Sequence, residues 1–85
     1  MKVVRVTSKV SSRRLAGVIM RNLLDEGECQ VEAIGPAAVN QGLKAIIVAI
    51  ESIPLAGDNC YMIPRFYETE LDGKPKTGIA ILVKR

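Results

Sequence analysis

The chain contains no histidine and no tryptophan. Without imidazole, no side chain has an ordinary pKa near neutrality. The usual general base and the serine–histidine and cysteine–histidine nucleophile pairs are therefore excluded. Carboxylate or lysine chemistry stays open, but no nucleophile–base pair or nucleotide-binding loop is evident, and an enzyme is not expected. Cysteine is sparse as well. Cys29 and Cys60 cannot complete a four-ligand zinc site without carboxylates or a second chain, and a disulfide between them is disfavoured in a reducing compartment. They read as two structural thiols, with no metal or cofactor expected. No apolar run approaches the roughly 20 residues of a bilayer span, since Ala45–Ile50 is short and opens beside Lys44. The N-terminus lacks the apolar core of a signal peptide. These absences predict a cytoplasmic protein with no membrane association.

What is present is globular. Eighty-five residues, 48% hydrophobic and 25% charged, make a single domain over 1–85 whose core is only just sufficient for its size. The net charge of +3 is modest, but it is unevenly distributed. Lys2, Arg5, Lys9, Arg13, Arg14 and Arg21 precede any acid, and then Asp25, Glu26, Glu28 and Glu32 follow with no cation among them. Such polarity predicts either one basic surface for a polyanion or charge that balances within the fold or across a dimer.

In chain order, Lys2–Thr7 is a β-branched strand. Ser11 or Ser12 can cap a helix from Arg13 to about Glu26, with Leu15, Val18, Ile19 and Leu23 as its buried stripe, Leu24 at the margin and Gly27 as its C-terminal cap. On the opposite face, Arg21 and Asp25 have the spacing of an ion pair, and Gly17 is either tolerated or permits a close approach. Glu28–Ile34 is a second strand. At the Gly35-Pro36 corner, glycine takes backbone angles other residues avoid, and proline suits the first helical position. The second helix runs to about Ser52, with Val39, Leu43, Ile46 and Ile50 as its apolar stripe. After a loop over 53–59, a third strand runs from residue 58 or 59 to Leu71, and Asp72-Gly73 predicts a tight hairpin. Lys76–Lys84 is the fourth strand; Ile79–Val83 is apolar throughout, as in a central strand or a dimer interface. Pro64 marks the third strand as an edge. The order β-α-β-α-β-β, with a right-handed crossover, predicts an α+β two-layer sandwich with both helices on one face of a four-stranded mixed sheet.

Several residues are candidates for function. Lys9, Arg13 and Arg14 lie where a loop enters a helix, a common place for phosphate contacts, although the helix dipole locally disfavours cations there. Asn40, Gln41 and Lys44 fall off the apolar stripe of the second helix. Lys44 suits binding, whereas Asn40 and Gln41 suit a structural tie to the first strand–helix loop or across a dimer. Gly35 and Pro36 read as architectural, with anion binding at the helix start as the alternative. Tyr61, Phe66 and Tyr67 are the only aromatics, and parity places both tyrosines on one side of a strand. Packing or dimerisation is the expected role, rather than base stacking.

The string QVEAIGPAAVNQGLKAI, Gln30 to Ile46, resembles the signature of the stage V sporulation protein S family, and VRVTSKVSSRRLAGVI is similar to that family's first strand and helix. The resemblance implies an Alba-like fold. It also implies a dimer that binds DNA or RNA around the first strand–helix connection, at Lys9, and at the Asp72–Lys76 hairpin with Lys74 and Lys76. The sequence departs from the family pattern in three places. Ser12-Arg13-Arg14 replaces a Pro-Asn-Ser triplet, Ile50 replaces an arginine, and the hairpin carries Glu68, Glu70 and Asp72 beside its lysines.

Together these readings predict a small dimeric protein that binds nucleic acid through phosphates with weak sequence specificity, in a sporulation or developmental role. The alternative is a protein-interaction or scaffolding module that recruits a developmental regulator without binding nucleic acid. The acidic share of the hairpin favours that alternative.

Overall fold

The computed structural model of the protein describes residues 1–53 and 59–85. The elements run β1 (Lys2–Val6), α1 (Ser12–Glu26), β2 (Glu28–Ala33), α2 (Pro36–Glu51), β3 (Tyr61–Leu71) and β4 (Lys74–Lys84). This is the expected order. Most of the loop expected over 53–59, including one of the proposed starts of the third strand, lies outside the described residues.

Local chemistry explains the boundaries. Ser11 caps α1, its hydroxyl accepting from the Arg14 N–H at 3.4 Å. Gly27, at φ 77°, closes the same helix by donating its N–H to the Leu23 carbonyl at 2.9 Å. Gly35, at φ 88°, turns β2 into α2, and Pro36 opens that helix. Asp72 and Gly73 both have positive φ, 55° and 75°, the signature of a two-residue type I′ hairpin turn. So tight a turn lets pairing begin at once, with Leu71 opposite Lys74. For that reason β4 starts at Lys74 and not at Lys76.

The sheet order is β1-β2-β4-β3, with β1 parallel to β2 and β4 antiparallel to both of its neighbours. β4 is thus central and β3 is an edge, as Ile79–Val83 and Pro64 respectively predict. Antiparallel pairing alternates inward and outward backbone groups. Counting back from the Leu71–Lys74 closing pair, Pro64 turns its missing donor to the free edge.

Both helices pack on one face of the sheet. Ile19 and Leu23 of α1, Ala45 and Ile46 of α2, and Cys29, Val31 and Val83 of the strands form the fully buried centre of the core. On the other face, Gln30 is the buried polar side chain. It is satisfied by donating to Glu32 Oε2 at 2.9 Å and accepting from Arg65 Nη2 at 3.1 Å.

Which helical faces are buried differs from expectation in both helices. In α1 the buried set is Leu15, Ala16, Ile19 and Leu23, whereas Val18 and Leu24 are exposed. In α2 it is Ala38, Gly42, Ala45, Ile46 and Ala49, while Val39 and Ile50 are only partly buried and Leu43 is exposed. Small side chains let the helix axis approach the sheet. A Cβ on Gly42 would meet Val31 Cγ1 at 3.4 Å and Val6 Cγ2 at 3.7 Å, so the backbone itself is in near-contact with the sheet. The larger apolar residues are displaced to the flank by about a quarter-turn of helix. Gly17 faces open space, with nothing within 4 Å of where a Cβ would stand, so no close approach within the chain requires it. Arg21 and Asp25 form no ion pair among the described residues.

Candidate nucleic-acid interface

The register brings three connections to one end of the sheet. Val6 and Ala33 are paired at the ends of β1 and β2, so the β1–α1 loop and the Gly35-Pro36 corner leave from the same edge. Ala33 pairs with Ile79, so Lys74–Gly78 and their partners Tyr67–Leu71 run on beyond it as a two-stranded arm. Five residues of strand extend this arm by roughly 17 Å, which helps give the molecule its 42 Å long dimension.

Among the described residues, the cations at this end lack carboxylate partners. The acids of the segment 26–32 find partners elsewhere: Glu26 with the Met1 amine at 3.6 Å, Glu28 with Lys84 at 3.8 Å, and Glu32 with Arg5 at 3.6 Å. Part of the sequence's charge polarity is thus balanced inside the fold. Lys9, Arg13 and Arg14 are exposed in the loop and first turn of α1, and Lys74 and Lys76 are exposed on the arm. None of these five pairs with a carboxylate among the described residues.

Strand pleating also sorts the mixed charge of the arm. Glu68 lies opposite Thr77 and Glu70 opposite Pro75, on the side continuous with the helix-packed face. The Thr77 hydroxyl donates to Glu68 Oε1 at 3.0 Å. Tyr67 opposite Gly78, Thr69 opposite Lys76 and Leu71 opposite Lys74 occupy the other side. The two lysines therefore share a face that excludes both glutamates.

The candidates on α2 divide. Gln41 turns inward, and its Nε2 donates to the Val10 carbonyl at 2.6 Å, tying α2 to the β1–α1 loop. This contact fixes the loop that carries Lys9 relative to the second helix. Asn40 borders a groove of about 510 Å3 between α2 and the outer strands, beside Val39, Leu43, Phe66 and Ile79. Lys44 is exposed one turn after Asn40, about 12 Å along the axis from Pro36, so it stands back from the cationic end.

The groove belongs to a wider apolar surface. Phe66 is 78% exposed, and Leu43, Ile47 and Met62 are also open to solvent, whereas Ile63 is exposed on the opposite face of the sheet. Of the two tyrosines, Tyr61 is exposed and Tyr67 half-buried, neither in the core. On the helix-free face, Arg5 and Arg65 are not among the site candidates read from the sequence, and Tyr67 is expected from it to serve packing or dimerisation rather than base stacking. The available signal was strand parity: Arg5 alternates with the inward Val4 and Val6, and Arg65 with Pro64 and Phe66. No helix of the described residues is long and apolar enough to cross a membrane.

The architecture has a solved counterpart. The chain superposes on Alba from Thermoplasma volcanium with a TM-score of 0.64 at 7% identity, covering 98% of this chain and 99% of that one. At that identity the likeness speaks for the fold, which is Alba-like. Residues 2–85 match the family described as stage V sporulation protein S. With the Gln30–Ile46 motif folded as strand, Gly-Pro corner and helix, and the match running almost end to end, the chain belongs to the stage V sporulation protein S family.

Proposed function

We propose that this protein binds nucleic acid as a dimer, contacting the phosphate backbone with weak sequence specificity, and acts in sporulation or a related developmental programme. The observation that carries this reading is the convergence of Lys9, Arg13 and Arg14 with the lysine-bearing arm at one end of the sheet, without carboxylate partners among the described residues. Such an arrangement suits a polyanion whose charges are spread over several nucleotides. Counterion release from the backbone would then supply most of the binding free energy. Lys44 contributes from the side of α2. Gly35, Pro36 and Gln41 serve the architecture that holds the loop in place.

A second copy is the proposed cover for the apolar surface formed by the flank of α2 and the helix-side residues of β3. That surface includes Phe66, Leu43 and Met62. An isologous contact buries the same patch on both partners and leaves each cationic end free.

The protein-interaction reading has one specific observation in its favour. Glu68 and Glu70 lie on the same side of β3 as Phe66 and the apolar groove, an acidic margin beside a hydrophobic floor. Fluorescence anisotropy of the folded protein with duplex DNA, single-stranded DNA and RNA at low salt separates the two readings. Saturable binding to at least one polymer is expected. A folded protein that binds none of them overturns the nucleic-acid reading and leaves the interaction module.

A further inference from the structure

The face of the sheet away from the helices carries a second constellation, assembled from all four strands. Tyr67 of β3 lies across β4 at Gly78. A Cβ at position 78 would stand 2.8 Å from the Tyr67 Cζ and 2.9 Å from the Ala33 carbonyl oxygen, so only glycine leaves room for the ring. The phenol reaches toward β2 and β1. Burial raises its pKa, the Glu32 carboxylate adds to the rise, and the Arg5 guanidinium opposes it, so it remains a neutral, flat ring. Glu32 is not a free acid here, because it is paired with Arg5 at 3.6 Å and accepts from Gln30.

This ring forms part of the wall of a cleft of about 460 Å3, which Arg5, Thr7, Ser8, Glu32 and Leu71 also line. The volume falls in the roughly 300–1,000 Å3 range of small-ligand clefts. The cleft lies between the β1–α1 loop and the root of the arm. Lys74 and Lys76 occupy the same side of the arm as Tyr67, and Glu68 and Glu70 the opposite side. An aromatic ring, a guanidinium and hydroxyls, with the Arg5-paired Glu32 among them, are thus set beside two lysines whose side of the arm excludes Glu68 and Glu70.

We propose that this face binds single-stranded nucleic acid, with an unpaired base stacked on Tyr67 in the cleft and the neighbouring phosphates held by Lys74 and Lys76. The proposal rests on the phosphate-binding reading above and adds the form of the polymer that is bound. A base in a duplex has its faces covered by its neighbours, so only an unpaired one can use the ring. Every base has such a face, so this contact adds affinity with little sequence preference.

The test compares affinities for a single-stranded oligonucleotide and its duplex, using wild type, Tyr67→Leu and Tyr67→Phe. Loss of one stacked base weakens single-strand binding by about 5- to 150-fold. Duplex binding should change less than about twofold, and Tyr67→Phe, which keeps the ring, should match wild type. Equal losses on both polymers, or none on the single strand, overturn the stacking contact while leaving phosphate binding intact. No binding of either polymer by wild type overturns both. Photo-crosslinking of wild type to a 5-bromouracil oligonucleotide does not depend on a variant that folds. A crosslink mapped to Tyr67 supports the proposal, and crosslinks confined to other segments contradict it.

Discussion

β4 and β3 are neighbouring strands of equal length with similar stretches of large apolar side chains, yet their surroundings are opposite. In β4, Ile81 and Val83 are buried between β2, β3 and the helix layer, and Ala80 is buried on the opposite face of the sheet. In β3, Tyr61, Met62, Ile63 and Phe66 are exposed, and neither helix packs substantially against the strand. The same contrast divides α2, whose small residues face the core while Leu43 and Ile47 face solvent. A chain of this size that leaves so much apolar surface open has distributed its large side chains between two tasks. One set makes the fold, and the other stays exposed, where the proposed second copy would cover it.

The contrast is broken most strongly by truncating one residue on each side of it. Ile46→Ala removes a fully buried side chain and should cost about 2–5 kcal/mol in chemical denaturation. Phe66→Ala should leave the unfolding free energy of the monomer within about 0.5 kcal/mol of wild type. Sedimentation equilibrium should nevertheless show a dimer converted to a monomer. If Phe66→Ala destabilises the isolated monomer as much as Ile46→Ala does, β3 belongs to the core and the division fails.

A smaller effect sharpens the comparison within α1. Gly17 lies on the outward face with open space around it and no positive φ, so Gly17→Ala should raise stability by about 1 kcal/mol. A loss instead would show that a second molecule approaches this backbone closely.

The smallest expected effect concerns the buried thiol. Burial pushes the Cys29 pKa up, Glu26 adds to the rise, and a hydrogen bond from Asn22 at 3.7 Å opposes it. An unfolded thiol titrates near about 8.5. Below that value both states hold the proton and this group gives no pH dependence. Above it the unfolded chain releases a proton that the native state retains, so stability falls as pH rises through the alkaline range. Urea melts across this range should show the decline in wild type and a flatter profile in Cys29→Ala.

Much of this arrangement was legible in the sequence, because certain residues have few places to go. Asp72-Gly73 specifies a type I′ turn, Gly27 a left-handed helix end, and Pro64 an edge strand. The crossover rule makes β1 and β2 parallel. The buried face of α2 was not legible, for a physical reason. Val39, Leu43, Ile46 and Ile50 dominate any apolar periodicity, yet close approach to the sheet selects Ala38, Gly42, Ala45 and Ala49. Of that stripe Ile46 is fully buried, Val39 and Ile50 are partly buried at the margin of the core, and Leu43 is exposed. The candidate site was legible as residue types but not as geometry. A linear reading of the arm shows glutamates and then lysines within one short hairpin, and only the register set by the turn shows that pleating places Glu68 and Glu70 on the opposite side from Lys74 and Lys76. The sorting also made Tyr67 and Arg5 neighbours, which no short motif reports.

The central claim is that the cations gathered at one end of the sheet neutralise phosphates. It is tested most directly by the slope of log affinity against log salt for wild type and for the combined Lys9→Ala, Arg13→Ala, Arg14→Ala variant. Each phosphate contact contributes about 0.7–0.9 to that slope. Loss of three contacts should make it shallower by about 2–2.7 units and weaken binding at low salt. An unchanged slope in a folded triple variant would contradict the claim.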